Sequence, residues 1–286
     1  MILQHLIITT FNLKGCDATQ KNEPFLTPKE LHKFFVVFEN YCLPSMAQQS
    51  NQNFIWLCFF DIETSTRYKR KFERYRKYCP QFRPVCITLN QDEKISPKIK
   101  KAIQTYIDPK ATHLLTTNLK SYHSIHKDMI QHLQKHIYQQ KEEGLYNFSH
   151  GFHFFENTDL VVKTKNIHYF KSLFVKKEAN LQNFHYCCHT HLNLLFKTNE
   201  ICSDQPMWLE IIHSHHTSKH IKLMNKRKNH CPKKSLDLSA YGLYFKLSTP
   251  KYFYNAFIAY PHLFIKTIIF KLNKKRLMLL NMVSVF

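Results

Sequence analysis

The chain has 286 residues, 44% of them apolar, with a formal net charge of +21. That is enough for one large domain or a domain with an appendage, and 24 Phe with 15 Tyr supply core material that a disordered chain lacks. The charge points to an anionic partner, but only 7 of the 41 basic residues are Arg and only 4 residues are Gly, the profile an AT-rich genome produces. Selection and mutational bias both remain open as its origin.

Nine Cys include no C-x-x-C pair, and several, such as Cys58, sit inside apolar runs. They read as reduced, buried thiols of a cytoplasmic protein. The first residues lack a basic flank and a small-residue cleavage site, and they read as a strand. Nothing has the ~20 uncharged apolar residues of a membrane span.

His5 to Thr9 predicts a buried strand. Thr27-Pro28-Lys29-Glu30 is a capping box with Pro at the first helical position. Leu31, Phe34, Phe35, Phe38 and Cys42 follow at helical spacing, and Pro44 is expected to end that helix. Phe54 to Phe60, ending in Asp61, predicts a second strand, and Ser65 to Tyr78 a charged surface helix. Pro84 to Thr88 predicts a third strand, Ser96 to Tyr106 a helix, His113 to Thr117 a fourth strand, and Lys127 to Gln140 a helix. Four strand–helix alternations predict an α/β fold with a mainly parallel sheet. Ligands of such sheets bind at the carboxyl ends of the strands. Here those ends are Thr10 to Asn12, Asp61, and Asn118 to His126.

The second half is less regular. Leu145 to Phe155 and Leu160 to Lys163 are expected to form a hairpin, and Trp208 to His213 a strand. Met224 to Lys234 is expected to be a basic loop. Tyr252 to Phe286 is apolar with interspersed Lys, which suits either a packed helix or peripheral contact with an anionic membrane.

Five fragments in order resemble one family. Leu6 to Asn12 is similar to an opening strand ending T-R-F-N. Phe38 to Ser45 resembles an F-x-x-x-C-L-P-S segment. Gln49, Phe54 to Leu57, Asp61 and Thr64 are similar to Q-x-x-x-x-F-x-W-L and D-x-x-T pieces. Leu114 to Thr117 with His126 to Ile130 look like the frame of an acidic loop, and Pro206 to His213 resembles a late P-x-W-x-E-V-I-H segment. The family is the putative rhamnosyltransferases, related to family-2 glycosyltransferases, and the resemblance covers residues 5 to 220. It implies a GT-A-type fold, with a nucleotide-binding half to about residue 145, an acceptor half to 220 and a basic, apolar extension over 221–286. It also implies transfer of a sugar, such as rhamnose, from a nucleotide-diphosphate donor to a glycan or lipid-linked acceptor. The protein would then be cytoplasmic, or peripheral on the inner face of the membrane.

Such enzymes are expected to use Mn²⁺ or Mg²⁺, because a hard divalent ion on carboxylates neutralises the leaving diphosphate. The family loop reads approximately R-L-D-N-D-D. Here it is Asn118-Leu119-Lys120-Ser121-Tyr122-His123, without a carboxylate, and Thr10 stands where the family has Arg. The departure leaves three accounts: an inactive copy that keeps the fold, a metal-independent transferase, and a misaligned loop or a false resemblance. In the second, Lys120, His123 and His126 replace the ion. Candidate donor-binding residues are Thr10, Asn12, Asp61, Asn118, Lys120 and His123. Candidate catalytic residues are Glu210, with Glu156 and Asp159 as other available carboxylates, and His213, which lies where the family has a His. No metal ligands are assigned. His213-Ser214-His215-His216 and the segment His185 to His191 read more simply as a solvated loop and as packing. A nucleic-acid-binding protein is the alternative class, though no helix-turn-helix or zinc-finger pattern supports it.

Overall fold

A computed structural model describes residues 1–13, 26–88, 95–156, 160–165, 170–177, 195–212, 231–233 and 237–244. Strand β1 (Leu3–Thr10) is the axis of the larger sheet. It pairs in parallel with β2 (Ile55–Asp61) on one side and β4 (His113–Asn118) on the other, and β2 pairs in parallel with β3 (Phe82–Ile87). These are the four expected strands. β9 (Ser172–Lys176) runs antiparallel to β4, then β6 (Gly144–Asn147) and β10 (Thr198–Glu200) complete seven strands in the order β10-β6-β9-β4-β1-β2-β3. The result is the expected α/β architecture, mainly parallel in its large sheet.

A second, mixed sheet has five strands. β7 (His150–Phe155) and β8 (Leu160–Lys165) form the expected hairpin. β11 (Trp208–Ile212) lies parallel to β7, β5 (His123–Ile125) pairs antiparallel to β11, and β12 (Cys231–Lys233) closes the far edge. The hairpin is shorter than predicted, because Leu145 to Asn147 belong to β6 in the large sheet.

Helix α1 (Pro28–Val37) starts on the expected capping box: Glu30 N donates to Thr27 Oγ1, and Thr27 N donates to Glu30 Oε2 at 2.8 Å. Pro44 does not end the run. A π-helical turn over Phe38–Cys42 sends Leu43 N–H to Phe38 O, and α2 (Leu43–Ala47) begins at once. Pro44 thus falls in a first helical turn, where its missing N–H costs little. The charged stretch from Ser65 is also two helices, α3 (Thr66–Lys69) and α4 (Phe72–Tyr78), because Lys71 N turns tightly to Tyr68 O at 2.9 Å. Tyr68, Phe72 and Tyr75 still share one buried face. They join Phe11, Phe35, Phe38, Trp56, Phe60 and Phe82 in the main core. On the other side α5 (Ile95–Gln104) packs Ile99 and Ile103 against Leu6, Ile8 and Leu57, and α6 (Met129–Gln140) buries Ile130, Leu133 and Ile137 in the main core.

Among the described residues no helix is long and apolar enough to cross a membrane. Of the basic loop expected over Met224 to Lys234, Cys231–Lys233 form strand β12 instead, because they pair with Val161 to Lys163, and the rest, like Tyr252 to Phe286, falls outside the described residues.

Candidate functional site at the carboxyl edge

β1 ends on half-buried Thr10, and the chain is pinned at once by Phe11 N to Phe59 O, 2.9 Å, with the Phe11 ring 4.5 Å from that of Phe35. That fixes Asn12 beside the end of β2. Asn12 Nδ2 donates to Thr64 Oγ1 at 3.0 Å, and Asp61 N donates to Asn12 Oδ1 at 3.2 Å. Asp61 Oδ1 accepts from Glu63 N at 2.7 Å, so one carboxylate oxygen shapes its own loop. Asn12, Asp61 and Thr64, three of the residues that carried the resemblance, form one hydrogen-bonded corner.

Asn118 closes β4 opposite Ile8 of β1. Since β1 lies between β4 and β2, Asn118 is level with Leu57 two strands away, and Asp61 lies four residues farther along β2, which puts the two residues roughly 16 Å apart on the same carboxyl edge. Leu119 N donates to Ile8 O at 2.9 Å and buries its side chain, leaving Lys120 half-buried at the next position. His123 N returns to Lys120 O at 3.0 Å, and β5 begins there. Residues 118–123 therefore bridge the two sheets.

The other family-like segments hold this bridge and the strand β5 that follows it. Cys42 Sγ donates to Lys120 O at 3.8 Å, Ser124 Oγ to Tyr41 O at 2.8 Å, and Gln49 Nε2 to His126 O at 3.0 Å. His126 N donates to Met207 O at 2.9 Å, just before β11. Segments distant in sequence thus converge on one loop.

Glu210 is the centre of a row. In register it faces His123 on β5 and His153 on β7, so the three side chains share one face of the second sheet. Glu210 Oε1 is 3.8 Å from His123 Nε2, and Oε2 is 3.1 Å from His153 Nε2. All three residues are buried. Burial raises the Glu210 carboxyl, yet the two imidazoles outweigh it and hold the group well below the usual carboxylate range. Burial lowers the His123 pKa more than Glu210 raises it, and Lys120 lowers it further. Both tendencies favour a neutral His123 beside an ionised Glu210. Phe170, in the left-handed region at φ 53°, covers the row, with its ring 4.7 Å from His123 and 5.6 Å from Trp208.

Thr10, Asn12, Asp61, Asn118 and Lys120 therefore lie along one edge, and His123 turns inward to Glu210. Glu156 accepts from Tyr41 Oη at 3.0 Å. His213 and Asp159 lie outside the described residues. His153 and Phe170 were not singled out in the sequence. The alternation in His150 to Phe155 placed His153 on a strand, but only the register reveals its partner.

The described residues contain no group of three or more His, Cys, Asp or Glu suited to a metal ion. The bridge offers an amide, an ammonium, hydroxyls and an imidazole, and the nearest carboxylate in sequence, Asp128, lies 3.7 Å from His126 Nδ1. This donor set does not fit Mn²⁺ or Mg²⁺.

A family model described as "Putative rhamnosyl transferase" matches residues 6–225. The chain belongs to that family. No curated protein matches it. Among solved structures, the chain is similar to residues 1–349 of TarS from S. aureus, at 12% identity and TM-score 0.45, covering 74% of this chain and 60% of that one. The same TarS fragment in complex with UDP-GlcNAc matches at 14% identity and TM-score 0.42, covering 76% and 61%. A putative nucleotide-diphospho-sugar transferase from Desulfovibrio desulfuricans G20 matches at 8% identity and TM-score 0.36, covering 70% and 79%. The chain thus spans about 60% of the TarS fragment it matches.

Proposed function

We propose that this family member binds a nucleotide-diphosphate sugar along the edge formed by Asn12, Asp61 and Asn118 to Lys120, without a divalent ion. In this reading the Asn12–Asp61–Thr64 corner receives the nucleoside, and Lys120 meets the diphosphate as a fixed cation. The observation that carries it is the intact frame. Cys42, Tyr41 and Gln49 still hold the bridge between the sheets, although its carboxylates are gone. Transfer of the sugar, rhamnose for the family's name, to a glycan or lipid-linked acceptor is the inherited reaction.

Glu210 acts here as a positioning residue. A general base must reach the acceptor hydroxyl, and Glu210 is 2% exposed and committed to two imidazoles. That burial favours a second reading, donor binding without turnover. Calorimetry with a panel of nucleotide sugars tests binding, and release of free nucleotide in the presence of acceptors separates the two readings. Absence of binding by every donor contradicts both.

A further inference from the structure

The arginines are not spread through the chain. Five of the seven, Arg67, Arg70, Arg74, Arg76 and Arg83, fall within residues 67–83, where Lys69, Lys71 and Lys77 add three more cations. A compositional bias toward Lys explains scattered lysines and does not explain clustered arginines. Arg67, Arg70, Arg74, Arg76 and Lys77 are exposed. Glu39 and Glu73 neutralise only part of the charge, Glu39 binding Lys71 at 2.8 Å and Arg74 at 3.1 Å, and Glu73 binding Arg76 at 2.8 Å. The Arg67 and Arg74 guanidinium groups each lie 5.9 Å from the ring centre of the following residue, Tyr68 or Tyr75. This stacking orders the cations on the surface.

Two exposed apolar side chains flank them. Tyr78 is 51% exposed and stands four residues after Arg74 on α4, and Ile62 is 41% exposed beside α3, where Lys69 Nζ donates to Ile62 O. We infer that the outer face of α3 and α4 docks on an anionic phospholipid surface, its guanidinium groups on headgroup phosphates and Ile62 and Tyr78 at the interface. Arg forks match phosphate oxygens. Tyr and aliphatic side chains beside basic residues suit the boundary between headgroups and acyl chains. Single-stranded nucleic acid would instead call for several aromatic platforms on which successive bases stack, and with Tyr68 and Tyr75 buried in the core Tyr78 is the one exposed tyrosine of α3 and α4. The inference does not depend on donor binding.

The test is co-sedimentation of the full chain with vesicles of phosphatidylcholine plus phosphatidylglycerol, against phosphatidylcholine alone, over a salt series. The chain should partition only to the anionic vesicles, less so as salt rises. Each basic residue at such a surface contributes roughly a fivefold factor. The combined variant Arg67→Gln, Arg70→Gln, Arg76→Gln, Lys77→Gln should therefore lose several-hundredfold in partitioning, with an unchanged circular dichroism spectrum. A control that removes four exposed lysines elsewhere, at Lys29, Lys110, Lys135 and Lys141, should lose less than about tenfold because none of them is on α3 or α4 and screening weakens charges away from the docked face. Tyr78→Ser should weaken what binding survives high salt. Equal losses in the two multiple variants would show diffuse charge attraction and overturn the proposal. So would absence of binding to anionic vesicles, or an RNA affinity that exceeds vesicle binding and disappears in the arginine variant.

Discussion

His123 and Glu210 stand directly opposite each other on antiparallel strands, with His123 Nε2 3.8 Å from Glu210 Oε1. One residue ends the bridge that leaves the large sheet, and the other lies in the middle of the small one. Their pairing, completed by His153 across β7, fixes where the bridge ends. Replacing Glu210 by Ala should cost about 2–5 kcal/mol in denaturant unfolding, because it strands the two buried imidazoles that face it, roughly 1–3 kcal/mol for each. Glu210→Gln keeps the shape and should cost about 1–3 kcal/mol. An unchanged midpoint in Glu210→Ala would show that the row contributes nothing to stability.

Gly151 faces Trp208 across β7 and β11, and a Cβ there would lie 2.0 Å from the indole. Gly151→Ala must displace Trp208, two residues before Glu210. We expect a loss of about 3 kcal/mol or more and a shifted tryptophan emission. A stable variant with native emission would contradict this packing.

Acid should weaken the fold from below about pH 6.5. His5 is buried between Thr117 Oγ1 at 2.9 Å and Gln134 Nε2 at 3.1 Å, and burial lowers its pKa from 6.5 to about 3. The unfolded chain takes up the proton first, so stability falls as pH drops from about 6.5 toward 3. His5 alone should remove roughly 2–3 kcal/mol between pH 7 and pH 4.5. Glu210, whose folded pKa is depressed, stabilises above about pH 4.5 and adds to the loss below it. His5→Gln should flatten the slope of unfolding midpoint against pH over pH 4.5–6.5; an unaltered slope would assign the acid sensitivity elsewhere.

How far these features were legible differs along the chain. β1, β2 and β4 were readable because continuous apolar runs suit strands buried on both faces, and α1 because Thr27 and Glu30 are a local signal. Pro44 misled because a π-turn is set by packing against the bridge and leaves no pattern in propensities. β5 has three residues, too few for periodicity, so the row through His123, Glu210 and His153 depended on register between strands far apart in sequence. Asn12, Asp61 and Thr64 were placed at a strand end from the sequence, but their mutual hydrogen bonds were not visible there.

Asn12→Ala removes the hydrogen bonds to Thr64 and to Asp61 N–H. Nucleotide-sugar affinity should fall about tenfold, the worth of one or two hydrogen bonds, with a small change in thermal midpoint. Unchanged affinity would move the nucleoside away from this corner.

The central claim is that the edge at Asn12, Asp61 and Lys120 holds a nucleotide-diphosphate sugar without a divalent ion. Titration calorimetry of the full chain with a panel of nucleotide sugars, in EDTA and again in Mn²⁺, tests it most directly. One donor should bind with the same affinity in both conditions, and more weakly to Lys120→Ala. A new Mn²⁺ dependence should appear when Lys120→Asp and Tyr122→Asp place carboxylates on the bridge. Donor binding by the unmodified chain that requires Mn²⁺ would contradict it.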